Sequence, residues 1–301
     1  MKDTVVSSMV TNVTVPNAHG IRTAHENKAG EGIEKRLVTL ETRSQKTMGT
    51  QWTTLFDCPI AKLQLEDVST LAEAFIASQK PHYIAVVNVA KLMKMRDDEA
   101  LRKSILTADI VGADGVPVVW ASRLLGSPLP GRVNGTDLML KLLEKGDQHG
   151  YRIFFFGAQA EVLERVLDVV RTNYPGVKIA GAQHGYFTED EEWDIVRQIQ
   201  TSQADILFIA FGTPKKELWV QKYLQAMGVP VVHGVGGSFD VLAGVMPRAP
   251  LWMQRGGLEW LFRLLQEPRR LWQRYLFTNT QFMALLLWTW SRHLLRSVRL
   301  P

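Results

Sequence analysis

From Trp52 onward, short apolar runs alternate with segments in which apolar residues recur every three or four positions. Residues 83–88, 109–113, 151–157, 177–182, 205–212 and 230–234 read as strands, because each run is short, largely apolar and bounded by turn residues. In 161–173, Val162, Leu163, Val166, Leu167 and Val170 fall on one helical face, and 189–202 follows Thr188, a good N-cap residue. Strands alternating with helices predict a doubly wound, mostly parallel, Rossmann-like α/β sheet. After Gly244 only helical patterns follow, from Leu251 on, punctuated by Pro247, Pro250 and Pro268. The predicted layout is an α/β domain over 51–250 and a basic, aromatic helical appendage over 251–301. Residues 1–50 mix Thr, Asn, Gly, Lys and Glu without periodicity or an apolar h-region, and read as a disordered leader, not a secretory signal.

Charge changes this picture at one end. The 301-residue chain carries a net charge of +5, but residues 254–301 alone hold eight Arg and two Glu, so the rest of the chain is close to neutral. Arg is interleaved there with Trp and Leu, which suits an anionic membrane surface and not the broad basic face that nucleic acid requires. Apolar stretches are too short to cross a bilayer, which takes about 20 residues. A peripheral location on a membrane surface is expected. The single cysteine, Cys58, cannot form an intramolecular disulfide, in keeping with a reducing compartment.

Ligands of open α/β sheets sit beyond the carboxyl ends of the strands, which directs attention to Asn88, Asp114, the 157–158 turn, Gly185, the 212–214 turn and the 234–237 turn. Asp114 is a general base or ligand anchor, or else an Asx-turn carboxylate capping the helix at 116–124. Gly157, Gly212, Gly236 and Gly237 are turn glycines at strand ends whose backbone N–H groups suit a nucleotide phosphate. The histidines lack HxxxH spacing, and acidic residues 189–192 start a helix where they favour its dipole, so neither a metal nor another cofactor is expected. No GxSxG elbow surrounds Ser238, which argues against a hydrolase. The dinucleotide GxGxxG is absent after the first strand, which argues against a nicotinamide dehydrogenase. In the tail, Arg263, Arg270 and Arg274 have spacings that put them on roughly one side across Pro268, facing phosphates or lipid headgroups, unless they are simply solvated arginines of a core helix.

Ten ordered motifs, including Cys58-Pro59-Ile60-Ala61 leading into a helix, Val87-Asn88, Asp114-Gly115, Arg132-Val133-Asn134-Gly135-Thr136-Asp137, Phe211-Gly212-Thr213-Pro214-Lys215-Lys216-Glu217 and the 234–240 segment, make residues 52–276 resemble the WecG/TagA/CpsF glycosyltransferases. That resemblance implies metal-independent, inverting transfer of a sugar from a UDP donor to a polyprenyl-diphosphate-linked saccharide in cell-surface polysaccharide synthesis. It implies Asp114 as the base, with Asn88, Arg132, Gly135 and Asp137 lining the site. Gly212, Pro214, Lys216, Glu217, Gly236, Gly237 and Asp240 would hold the nucleotide sugar, and Arg263, Arg270 and Arg274 would close over it at the membrane. Relatives often carry Thr where Val86 stands and Gln where Lys216 stands, so Lys216 is expected to meet a donor phosphate or an acidic sugar. Glucose, N-acetylmannosamine and uronic acids all remain open as the transferred sugar. A non-catalytic membrane-associated assembly factor is the alternative reading, and the helical tail also suits self-association into a homo-oligomer off the membrane.

Overall fold

The computed structural model describes residues 49–298, so the leader expected over 1–50 lies almost wholly outside the described residues. A hairpin comes first: β1 (Trp52–Leu55) pairs antiparallel with β2 (Cys58–Ala61). Then follow β3 (His82–Val87), β4 (Ile110–Ala113), β5 (Arg152–Gly157), β6 (Lys178–Gln183), β7 (Ile206–Ala210) and β8 (Val231–Gly234), which form one sheet in the order β4-β3-β8-β7-β5-β6. Every pairing in that sheet is parallel. The six predicted strands are all present, shifted only at their ends; Cys58 to Ala61 leads into a helix as expected, and the hairpin it forms with β1 was not foreseen.

Connecting helices cover both faces. On one face α1 (Leu65–Ser78), α5 (Gly135–His149) and α6 (Ala160–Asn173) pack on Ile84, Val86, Ile153, Phe155, Ile206 and Phe208. On the other, α2 (Val89–Asp97), α3 (Glu99–Leu106), α4 (Val116–Leu124), α7 (Glu192–Thr201) and α8 (Lys215–Met227) pack on Ala85, Val87, Phe154, Phe156, Leu207 and Ile209. Adjacent strand residues therefore serve opposite cores, the mark of a sheet buried on both sides. Burying each such large side chain is worth about 1.5–3 kcal/mol. The helix predicted over 189–202 is divided: a 3-10 turn, Glu189–Glu191, precedes α7, and Glu191 reaches back to accept from the Thr188 N–H at 2.7 Å.

Beyond β8 come α9 (Ser238–Leu242), α10 (Leu251–Arg255), α11 (Glu259–Gln266) and the long α12 (Pro268–Val298). The appendage is helical, as expected, and it is docked: α12 runs along α2, burying Leu271, Phe282 and Leu286. Phe282 meets Phe56 of the hairpin turn edge to face, with 5.5 Å between ring centroids. The outward side of α12 carries exposed Trp272, Leu276, Phe277, Met283, Leu287 and Trp288. Among the described residues no helix is long and apolar enough to cross a membrane.

Candidate active site at the carboxyl ends of the strands

Asp114 follows β4 directly, and its backbone N–H donates to the Val87 carbonyl at 2.8 Å, so the sheet ladder fixes its position. Gly115 then turns the chain at φ 102°, a conformation that L side chains rarely adopt. The Asp114 side chain makes no cap to α4, whose N-cap is Gly115, so the capping alternative falls. Instead Asp114 Oδ1 accepts from Asn134 Nδ2 at 2.9 Å. Asn134 is itself the N-cap of α5, its Oδ1 accepting from the N–H groups of Thr136 at 3.0 Å and Asp137 at 3.2 Å. Burial pushes the Asp114 carboxyl above its ordinary range. Arg263 opposes that shift, Glu259 adds to it, and Lys91 and Arg132 oppose it more weakly.

Arg132 is held by a set of acceptors from distant segments. Its guanidinium donates to Glu259 Oε2 at 2.8 Å and to the Gln254 carbonyl at 3.3 Å, and it lies 3.5 Å from Asp137 Oδ2. Asp137 also pairs with Arg248. The cation expected to face substrate is thus tied to the carboxylates of α5 and α11. Gly135 begins α5, and its carbonyl lies 3.1 Å from His233 Nε2, while His233 Nδ1 lies 3.1 Å from the Ile84 carbonyl. That ring is fully buried between β8, β3 and α5, and burial lowers its affinity for a proton. Val86, the departure from Thr, is buried, with its methyls toward the space beside Gly112 and Gly135.

On the β3 side, Asn88 caps α2, accepting from the Lys91 N–H at 3.0 Å. The Lys91 ammonium turns back to the Val86 carbonyl at 2.6 Å and to Glu217 Oε1 at 2.9 Å. Glu217, wholly buried, also meets the Lys216 ammonium at 2.7 Å and accepts from Thr213 Oγ1 at 3.1 Å. Lys216 donates in addition to Thr213 Oγ1 at 2.9 Å, and its stem lies against Gly234. Two buried lysines thus share one carboxylate below the Gly212 turn, where the Thr213–Pro214 peptide is cis. Burial brings the Lys216 ammonium down to about 8, and despite burial the two lysines hold Glu217 at about 2. The side chain expected to reach a donor phosphate is therefore engaged within the fold.

Gly236 and Gly237 lead into α9, where Asp240 is half-buried; burial raises its proton affinity, opposed first by a backbone hydrogen bond from its own N–H and then by Arg270 and, more weakly, Arg263, while Glu267 adds to the rise. The tail arginines come together here. Arg263, Arg274 and Arg270 all bear on Tyr275, Arg263 also on Asp114 and Arg274 on Lys216, while each guanidinium stays exposed. Arg270 pairs with Glu267. The structure thus gathers residues of strand-end segments and of the tail around the carboxyl edge of β4, β3 and β8. No separate role was expected of Asn134, which the sequence placed within a motif, or of Lys91, Gln254 and Glu259; of these only Asn134, before an apolar helix, carries a local signal, that of an N-cap. Among the described residues no group of three His, Cys, Asp or Glu side chains is placed to hold a metal ion.

A six-stranded parallel sheet with helices on both faces is a Rossmann-like α/β fold, and here it carries a partly buried carboxylate, Asp114, at a strand end. Residues 53–296 match the model of the glycosyl transferase WecG/TagA/CpsF family, and the chain belongs to that family. It is similar to an N-acetylglucosaminyldiphosphoundecaprenol N-acetyl-beta-D-mannosaminyltransferase of Bacillus spizizenii (strain ATCC 23059 / NRRL B-14472 / W23), with 35% identity over 76% of this chain and 90% of the relative. A protein of the same name from Bacillus subtilis (strain 168) is 33% identical over 69% of this chain and 84% of its own length.

Proposed function

We propose that this glycosyltransferase moves a hexose-type sugar from a UDP donor to a polyprenyl-diphosphate-linked saccharide, by a single inverting displacement that needs no metal. Asp114 takes the proton of the acceptor hydroxyl as that oxygen forms its bond to the anomeric carbon, and UDP leaves from the opposite face with the bonding electrons. The observation that carries the reading is Asp114 itself, a carboxylate fixed by the strand end and by Asn134 within the field of Arg263. Burial raises its basicity, which suits a general base, and the nearby cations keep the ionised form accessible.

Arg263, Arg270 and Arg274 supply the positive charge that a departing diphosphate requires. The strand-end turns at Gly212, Pro214, Gly236 and Gly237, with Asp240, form the floor for the nucleotide sugar. Asn88, Arg132, Gly135 and Asp137 hold the wall beside the base. Lys216 and Glu217 support this floor from beneath, so any effect of Lys216 on sugar preference is transmitted through Thr213 and the Gly212 turn. The apolar outer side of α12 rests on the membrane that carries the acceptor, on its cytoplasmic side. Because two relatives are named for N-acetylmannosaminyl transfer to a diphosphoundecaprenol-linked sugar, the N-acetylmannosamine donor is the first to test, with glucose and uronic acid donors beside it.

UDP release by the purified protein is the decisive assay, with those donors, a polyprenyl-diphosphate-linked N-acetylglucosamine acceptor and EDTA present throughout. Acceptor-dependent release that disappears in Asp114→Asn is expected. Equal release by that variant would remove Asp114 as the base, and a requirement for added divalent cation would remove metal independence.

A further inference from the structure

Asn134 has its two side-chain functions assigned by its surroundings. Its Oδ1 faces two donors, the N–H groups of Thr136 and Asp137, so its Nδ2 faces Asp114 as a donor and cannot turn over without breaking the cap of α5. Asn134 is itself buried. The neighbouring Val133 N–H donates to the Ala113 carbonyl at 2.7 Å, and the Gly135 carbonyl faces His233, so the backbone on both sides of Asn134 is tied to the sheet. A hydrogen bond to one carboxylate oxygen sets the plane of the carboxyl group and leaves the other oxygen to meet a substrate.

We infer that Asn134 is a positioning residue for the transfer reaction: its amide, locked by the helix cap, holds Asp114 by Oδ1 and presents Oδ2 to the acceptor hydroxyl. The inference rests on the reading of Asp114 as the base. It extends that reading by assigning the two oxygens different tasks and by making the α5 cap part of the catalytic geometry. A donor at Oδ1 also favours the ionised carboxylate against the burial that disfavours it. The other charges facing Asp114 are Arg263 and Glu259 from α11, Lys91 from α2 and Arg132 from the loop before α5.

Two variants keep an N-cap oxygen and remove the amide donor. Asn134→Asp caps a helix as well as Asn but sets a second carboxylate against Asp114, which raises the proton affinity of the base. The acid limb of its kcat/KM profile is expected to move up by about one pH unit or more. Asn134→Ser shortens the side chain and loses the donor without adding charge; kcat is expected to fall roughly tenfold, with the KM for donor little changed, the loss of a free-energy difference equal to one pKa unit. The shift in Asn134→Asp follows from charge and reports that residue 134 faces the base; the discriminating variant is Asn134→Ser, in which a purely structural cap would leave the rate per folded molecule at the parent value. The inference is overturned if Asn134→Ser, folded as judged by its thermal transition, keeps the parent rate. Asp114→Asn, assayed in parallel, separates the two layers: activity in that variant removes the base, whereas an inactive Asp114→Asn beside an unaltered Asn134→Ser removes only the positioning role.

Discussion

Arg132 and Glu259, 127 residues apart in the chain, meet at 2.8 Å and join the loop that carries Asn134 to the first turn of α11. Both side chains are about one-fifth exposed, so their direct worth to stability is small, at most about 1 kcal/mol once solvent screening is allowed for. Their effect on the site is larger, because α11 also brings Arg263 to bear on Asp114. Glu259→Gln removes a charge that raises the Asp114 proton affinity, so the acid limb of kcat/KM shifts to lower pH, while the melting temperature changes by only a few degrees. A pH-rate profile beside a thermal melt checks both.

Asp114→Asn is expected to lower transfer by roughly 10²–10⁴-fold, the usual contribution of general-base catalysis. Stability should move the other way. The folded-state proton affinity of Asp114 lies above its unfolded value, so its contribution is fully present below the unfolded pKa and is lost as pH rises through the folded one. Above the folded-state value the parent bears a partly buried carboxylate charge that the amide lacks. Chemical denaturation at neutral pH should find the variant as stable as the parent or more so.

Glu217 is the carboxylate that two buried lysines share. Its pKa of about 2 lies below the ordinary value of 4.5, so its stabilisation is present above that ordinary value and is lost as pH falls toward about 2. Glu217→Gln leaves Lys91 and Lys216 facing each other without a counter-charge and should cost about 3–5 kcal/mol. Urea melts across neutral and acidic pH test this: the gap between parent and variant should close as the pH falls.

Gly112 in β4 has no room for a side chain, since an added Cβ would lie 2.9 Å from the Val133 Cβ. Gly112→Ala therefore pushes on the segment that holds Asn134, and overpacking of this kind costs about 1–3 kcal/mol. Transfer should fall by more than the change in folded population explains, as judged by activity per folded molecule.

The outer side of α12 should matter only where lipid is present. Leu276→Ser combined with Phe277→Ser alters two exposed residues, so the melting temperature should hold while co-sedimentation with vesicles containing anionic lipid falls. Unchanged binding would move the membrane contact elsewhere on the protein.

Much of the fold was legible because five of the six sheet strands are buried on both sides and read as apolar runs between turns, the edge strand β6 being the exception. The hairpin was not. Its strands are four residues each, Pro59 interrupts one of them, and its turn passes through positive φ at Phe56 and Asp57 without the Asn-Gly or Asp-Gly pair that usually announces such a turn. At the site, strand-end reasoning and family resemblance singled out Asp114, and the structure brings the tail arginines to the same edge. The partners of Arg132 were illegible, because pairing with Glu259 and Gln254 depends on how the tail docks, which leaves no local pattern. Lys216 shows the same limit: standing where relatives often carry Gln, it suggested a ligand contact, and only its packing against Gly234 and its ion pair with Glu217 reveal a side chain turned inward.

The docking of Arg132 has a consequence for biosynthesis. A nascent chain that has emerged only as far as β8 already contains Asp114 and Asn134 and can assemble the whole sheet, but Arg132 has neither Gln254 nor Glu259 to meet, and Arg263 has yet to arrive. On the proposed mechanism chemical competence waits until the final helices have left the ribosome and folded back, and a product truncated after β8 is expected to be inactive.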